Sequence, residues 1–314
     1  MKSSEFIALF EKGKKRFQIV GDEKNGVLIG LDLEGRLFTI IDGEVVNRVN
    51  PEAILKQTNR SGYLNPGGDG LWPAPEGTTL GYEYTTGAWR VPAALTGARY
   101  IVTESKDNFL RVEAEVDLIN NSGFGIPVIF ERGVTISGDK NSFNVKVKES
   151  IQYIGKETLT KDRCMLAPWT LCQFISGPNS EVVFPLPAAS EIWDLYGASD
   201  EKRRVTNGLC HSKTDGGFRY QIALGSGVDW LEYRNTDTGL IVKRTAGKLP
   251  EGLNYIDIVD APPTETPSDK GIRFSAYSDP SFFMEIEACG GAPEIYTHGC
   301  VMSVEVETVY SSDK

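Results

Sequence analysis

The sequence predicts an all-β protein in which two large antiparallel sheets pack face to face. Three observations carry this expectation. Long segments alternate apolar and polar residues with a period of two. Segments with helical signals are few and short. No linker or repeat divides the chain. One-sided alternation puts one sheet face in the core and the other in water, which is the pattern of antiparallel sheets. The 314 residues are therefore read as one continuous domain, 1–314, because all-β units of well over ~200 residues are common.

The elements follow in chain order. "SSEFIALFEKGKK" is a short helix that Ser3 or Ser4 would cap, and the basic run Lys12 to Arg16 is its solvated end. In "NPEAILKQ", Asn50 suits an N-cap and Pro51 the first helical position. In "FLRVEAEVDLIN", Leu110, Val112, Ala114, Val116 and Leu118 share one strand face, opposite Arg111, Glu113, Glu115 and Asp117. "FNVKVKESI" sets Val145 and Val147 against Lys146 and Lys148. "DAPPTETPSDKG", residues 260–271, reads as an excursion between strands. In "DPSFFMEIEACGG", Phe282, Met284, Ile286 and Ala288 oppose Phe283, Glu285 and Glu287. Met302, Val304 and Val306 oppose Ser303, Glu305 and Glu307 in the last strand.

Composition excludes several functions. A net charge of −10 repels phosphate backbones, so nucleic acid is not an expected partner. No run of 18 apolar residues is present, so no membrane-spanning helix is expected. The chain start lacks the pattern of a leader peptide, which predicts a cytoplasmic protein, or a periplasmic one whose leader has been removed. Five scattered cysteines with no CxxC argue for buried thiols rather than disulfides or a zinc site. No phosphate-cradling glycine loop, HExxH or GxSxG occurs, so nucleotide-binding, zinc-protease and serine-hydrolase functions are not expected.

The stretch "LNPGGDGLWPAPEG", residues 64–77, has four glycines and three prolines in fourteen positions. Glycine lets the backbone approach a ligand closely, and proline reduces the entropy lost on binding. Trp72, Asp69 and Glu76 would supply a stacking ring and hydrogen-bonding carboxylates, the groups that saccharides require. "YTTGAWRVP" follows, adding Trp89 and Arg90. Glu285 and Glu287, two apart on one strand, stand roughly 6.5–7 Å apart beside Phe283. Such a pair can hold a raised pKa on one member and act as a general acid or base, or form a plain acidic face. Arg132, next to Glu131, would grip sugar hydroxyls or pair across strands. Lys243 and Arg244 would lie on the wet face near the site or balance nearby acids. Trp169 reads as core or pocket wall.

Six segments in this order carry a resemblance: "GLDLEGRLFTI", "GGDGLWPAPEG", "FERGVTI", "LAPWTLCQF", "VDWLEYRNTDTGLIVKR" and "FFMEIEACGG". Together they resemble an uncharacterised bacterial family within the galactose mutarotase-like (aldose 1-epimerase) superfamily, over roughly residues 27–310. The resemblance implies a β-supersandwich with a carbohydrate site on a concave sheet face. It places Arg36 near the first hairpin, the Trp72 loop beside the sugar pocket, and Glu287 in the position of the general base, with Glu285 as its neighbour. It departs from the epimerases in its histidines: only His211 and His298 are present, neither in an epimerase-like motif. His298, eleven residues beyond Glu287, is the candidate acid if its loop turns back. The expected ligand is a small saccharide, bound by Asp69, Trp72, Glu76, Arg90, Arg132 and Glu285. The expected function is that of an aldose 1-epimerase-like enzyme, whose chemistry as the resemblance implies it needs an acid–base pair and no metal or cofactor. The alternatives are a carbohydrate-binding protein without catalysis, or a glycoside hydrolase or lyase relative that uses two carboxylates, Glu76 and Glu287.

Overall fold

Every second side chain of the strand Phe109–Ile119 is buried from Leu110 to Leu118, as the alternation predicts. The same holds for Val145 and Val147 in Ser142–Tyr153, and for Met302, Val304 and Val306 in Val301–Ser312. The computed structural model describes residues 1–56, 63–82, 91–139 and 141–312.

These residues form two ten-stranded sheets, antiparallel throughout. The first runs Phe17–Gly21, Gly26–Gly30, Arg36–Ile41, Asp69–Ala74, Ala167–Ile175, Phe283–Cys289, Phe274–Asp279, Tyr220–Leu224, Ile192–Asp194, with Glu44–Val45 beside Arg36–Ile41. The second runs Arg203–Thr206, Leu209–Lys213, Ser180–Pro185, Trp230–Asn235, Leu240–Ala246, Val301–Ser312, Ser142–Tyr153, Gly125–Gly138, Phe109–Ile119, Ile101–Lys106. A continuous apolar layer lies between them, joining Val112, Phe130 and Val147 of the second sheet to Leu71, Ile222 and Ile286 of the first. All five cysteines are free, and four of them are buried. Among the described residues no helix is long and apolar enough to cross a membrane.

The outer face of the first sheet is divided into two parts. At one end the helix Ser3–Gly13 covers it, burying Phe6 and Phe10 against Leu28, Phe38 and Ile54. Each such phenylalanine contributes about 1.5–3 kcal/mol of burial. The helix begins at Ser3, so its N-cap position is Lys2, one or two residues before the expected serines, and Glu5 accepts from the Lys2 backbone N–H at 3.2 Å. Lys12, Lys14 and Arg16 lie exposed at its end. Asn50 caps Pro51–Leu55 as expected, accepting from the Glu52 N–H at 3.2 Å. The rest of the outer face, from Asp69–Ala74 to Ile192–Asp194, is where the candidate residues gather.

Candidate functional site

The stretch read as a loop is largely a strand. Asp69–Ala74 pairs with Ala167–Ile175, setting Trp72 opposite Trp169 and Pro73 opposite Pro168. Before it, Gly67 and Gly68 take positive φ values of 86° and 70°, which only glycine adopts without strain. After it, the backbone N–H groups of Gly77 and Thr78 bond the carbonyls of Val259 and Ala261, so the 260–271 excursion ties down the end of this segment.

Cross-strand register then decides which side chains share a face. Trp169 stands opposite Cys289, Leu171 opposite Glu287 and Gln173 opposite Glu285. Ser275 lies opposite Glu287 and Tyr277 opposite Glu285, while Gln221 lies opposite Tyr277. Trp72, Trp169, Glu285, Glu287, Tyr277 and Gln221 therefore all stand on the outer face of the first sheet.

The contacts agree. The Trp169 indole Nε1 donates to Glu287 Oε2 at 3.0 Å, and the Gln221 amide donates to the same oxygen at 2.9 Å. The Trp72 and Trp169 rings meet edge to face with centroids 5.8 Å apart. The Gln173 amide donates to Glu285 Oε1 at 2.6 Å. Glu287 is fully buried, and its other oxygen, Oε1, has no hydrogen-bond donor among the described residues. Burial, and next the charge of Glu285, push the Glu287 carboxyl well above the ordinary range, towards its protonated form. Glu285 is also raised by burial, but the cation Arg36, the hydrogen bond from Gln173 and the cation Arg48 oppose that rise. The rise is larger for Glu287 than for Glu285, so Glu287 is the member pushed further towards its protonated form and Glu285 the member nearer to charge, an arrangement typical of acid–base sites.

Arg36, expected at the first hairpin, is fully buried on this face. It bonds Glu34 at 3.0 Å and Tyr63 at 2.8 Å, with its guanidinium 5.2 Å from the Trp72 ring. Glu76 is buried near Tyr196, whose phenol is pushed up first by burial and then by the Glu76 charge.

Asp69 and Arg132 are placed elsewhere. Asp69 is three residues from Trp72 and so points to the opposite side, into the layer between the sheets. There it accepts from Arg132 at 3.1 Å, Arg244 at 2.8 Å and Thr170 at 2.9 Å, and Arg132 also bonds Glu149. All five side chains are buried. Against the cost of burial, Arg244 and Arg132 hold the Asp69 carboxyl below its ordinary range, whereas burial raises Glu149. The reading of Asp69 and Arg132 as sugar ligands is corrected by this geometry: they are a buried ion network that joins the two sheets. Arg244 belongs to it rather than to a wet face.

His298 is exposed on the loop before Val301–Ser312, its Nδ1 3.1 Å from the Ile154 carbonyl, and no contact joins it to Glu287 among the described residues. His211 pairs with Glu181 at 3.0 Å in the second sheet. Arg90 and Trp89 lie outside the described residues. Gln173, Gln221, Ser275 and Tyr277 were not singled out from the sequence. The signal for Gln221 was present: one amide inside the apolar run "YQIAL", whose five residues are all buried.

The fold is that of the galactose mutarotase-like proteins. A galactose mutarotase-like protein from Lactobacillus casei aligns over 94% of this chain and 100% of its own, at 10% identity and a TM-score of 0.60. A second, from Clostridium acetobutylicum, aligns over 95% and 98%, at 10% identity and 0.55. A candidate aldose 1-epimerase from Escherichia coli K12 aligns over 95% and 99%, at 11% identity and 0.55. The chain itself belongs to a family of unknown function, DUF6786, matched over residues 5–228. No curated protein matches the sequence.

Proposed function

We propose that the outer face of the first sheet, around Trp72, Trp169, Glu285 and Glu287, binds a saccharide and interconverts its anomers, as an aldose 1-epimerase does. The observation that carries this reading is the buried Glu287 carboxyl. One oxygen is fixed by Trp169 and Gln221, and the other is without a donor. A buried polar atom left unpaired costs about 1–3 kcal/mol, and functional sites are where such costs are retained.

The carboxyl pair supplies both halves of the chemistry. Glu285, as carboxylate, takes the proton from the anomeric hydroxyl. Glu287, as acid, gives its proton to the ring oxygen. The bond from C1 to the ring oxygen breaks as the C1 carbonyl forms. Rotation about C1–C2 presents the other carbonyl face, and the steps reverse with the two carboxyls exchanging roles. The base role that the resemblance implied for Glu287 thus passes to Glu285 in the resting protein, because Glu287 is the member pushed further towards its protonated form. No histidine is needed.

Polarimetry on freshly dissolved α-glucose and α-galactose tests the proposal: catalytic amounts of protein should speed the approach to the equilibrium rotation. A second reading, saccharide binding without catalysis, is favoured by the complete burial of Glu287. Saturable sugar binding with no change in rotation rate would select it.

A further inference from the structure

The face that carries the carboxyl pair also carries a guanidinium that forms no ion pair among the described residues. Arg48 lies over the Phe283 ring with its Cζ 4.4 Å from the centroid, and its Nη1 donates to the Gln173 amide oxygen at 3.0 Å. Gln173 in turn donates to Glu285. No carboxylate lies within ion-pair distance of Arg48 among the described residues. Arg48 is also half-buried, and that burial holds its pKa below the ordinary guanidinium value, the mark of a desolvated charge that nearby anions only partly offset.

We infer, resting on the saccharide reading above, that the ligand is an acidic sugar, a uronate whose carboxylate is taken by the Nε–Nη2 edge of Arg48, the edge that the Nη1 bond to Gln173 leaves unused. Three features of the face fit this ligand. The guanidinium is already held over Phe283 and tied to the Gln173 amide, so its position is set before binding and little rotamer entropy remains to be lost. The next ring, Tyr277, lies 5.8 Å from Phe283 and receives the Nε–H of Arg219 at 3.1 Å, so aromatic surface for a sugar ring continues beside the cation. Asp279 and Glu285 stand on the same face, Asp279 holding the Tyr277 hydroxyl at 2.6 Å. Their negative charge opposes a dianion more strongly than a monoanion, which favours a carboxylate over a phosphate monoester.

Calorimetric titration with galacturonate, glucuronate, galactose, glucose and galactose 6-phosphate tests the inference. The uronates should bind about tenfold more tightly than the matching neutral sugars, as one charge-assisted bidentate pair would provide. The Arg48→Gln protein, its folding checked by its melting curve, should reduce that ratio to about one. Arg48→Lys, which keeps the charge without the fork, should retain part of it. Neutral sugars binding as tightly as uronates, or an undiminished ratio in Arg48→Gln, would overturn the inference while leaving the saccharide site standing. Tightest binding of the phosphate would overturn the uronate assignment alone. Binding of none of the five would overturn this inference and the site together.

Discussion

The Trp169 indole donates to Glu287 Oε2 at 3.0 Å while its ring rests against Trp72, so one side chain links the Trp-Pro strand to the acidic strand. The two segments that sequence reading singled out, more than 200 residues apart, therefore meet on one sheet face. The hydrogen bond favours the charged form of Glu287. Trp169→Phe removes it while keeping an aromatic ring, and the Glu287 carboxyl should titrate at higher pH still. Carboxyl NMR titration checks this, and an unchanged or lower midpoint would show that the bond does not act on Glu287.

The raised Glu287 carboxyl has a consequence for stability. Its folded pKa lies above its unfolded value, so its contribution is fully present below the unfolded pKa, near 4.5, and is lost as pH rises through the folded pKa. Glu287→Gln mimics the protonated form at every pH. The melting temperature of Glu287→Gln relative to the parent should therefore climb as pH rises from 4 towards 8. A flat or falling difference would mean that Glu287 is charged in the folded protein.

Asp69 neutralises two buried arginines. Asp69→Asn keeps the shape but leaves Arg132 and Arg244 with only Glu149 to offset them, and removing one partner of a buried pair costs about 3–5 kcal/mol. Denaturant unfolding should register a loss of that order. Anomer exchange by the fraction that remains folded should be unchanged, because Asp69 faces away from Glu287.

Gly67 is fixed by its backbone. A Cβ there would lie 2.0 Å from the Arg48 carbonyl oxygen, at a φ of 86°. Gly67→Ala should cost at least about 2 kcal/mol, seen as a lowered melting temperature, because clash and left-handed strain add.

Much of this architecture was legible in the sequence, and the misreadings have physical causes. The alternation in "FLRVEAEVDLIN" fixed a strand because the sheet has one wet face. The "GGDGLWPAP" stretch read as a loop because proline and glycine normally exclude a central strand. Pro73 stands opposite Pro168, however, at a pair that exchanges no ladder bonds: the odd residues of Ala167–Ile175 bond this strand, as Gln173 does at Gly68, while the Pro168 carbonyl turns away to accept from Gly290, so neither missing N–H falls between the two strands. Once that stretch is a strand, parity separates Asp69 from Trp72. Parity also marked the buried network: Arg132 is in phase with Val128 and Phe130, and Glu149 with Val145 and Val147. The roles of Gln173 and Gln221 depend on cross-strand register, which no single strand encodes.

The central claim is that the Glu285–Glu287 pair moves the proton in anomer exchange. Two-dimensional NMR exchange between the α and β anomers of a bound sugar, measured for the parent and for Glu287→Gln, tests it most directly. Exchange should be rapid in the parent and abolished in Glu287→Gln, with affinity kept within about tenfold. Equal exchange rates in the two proteins would contradict it.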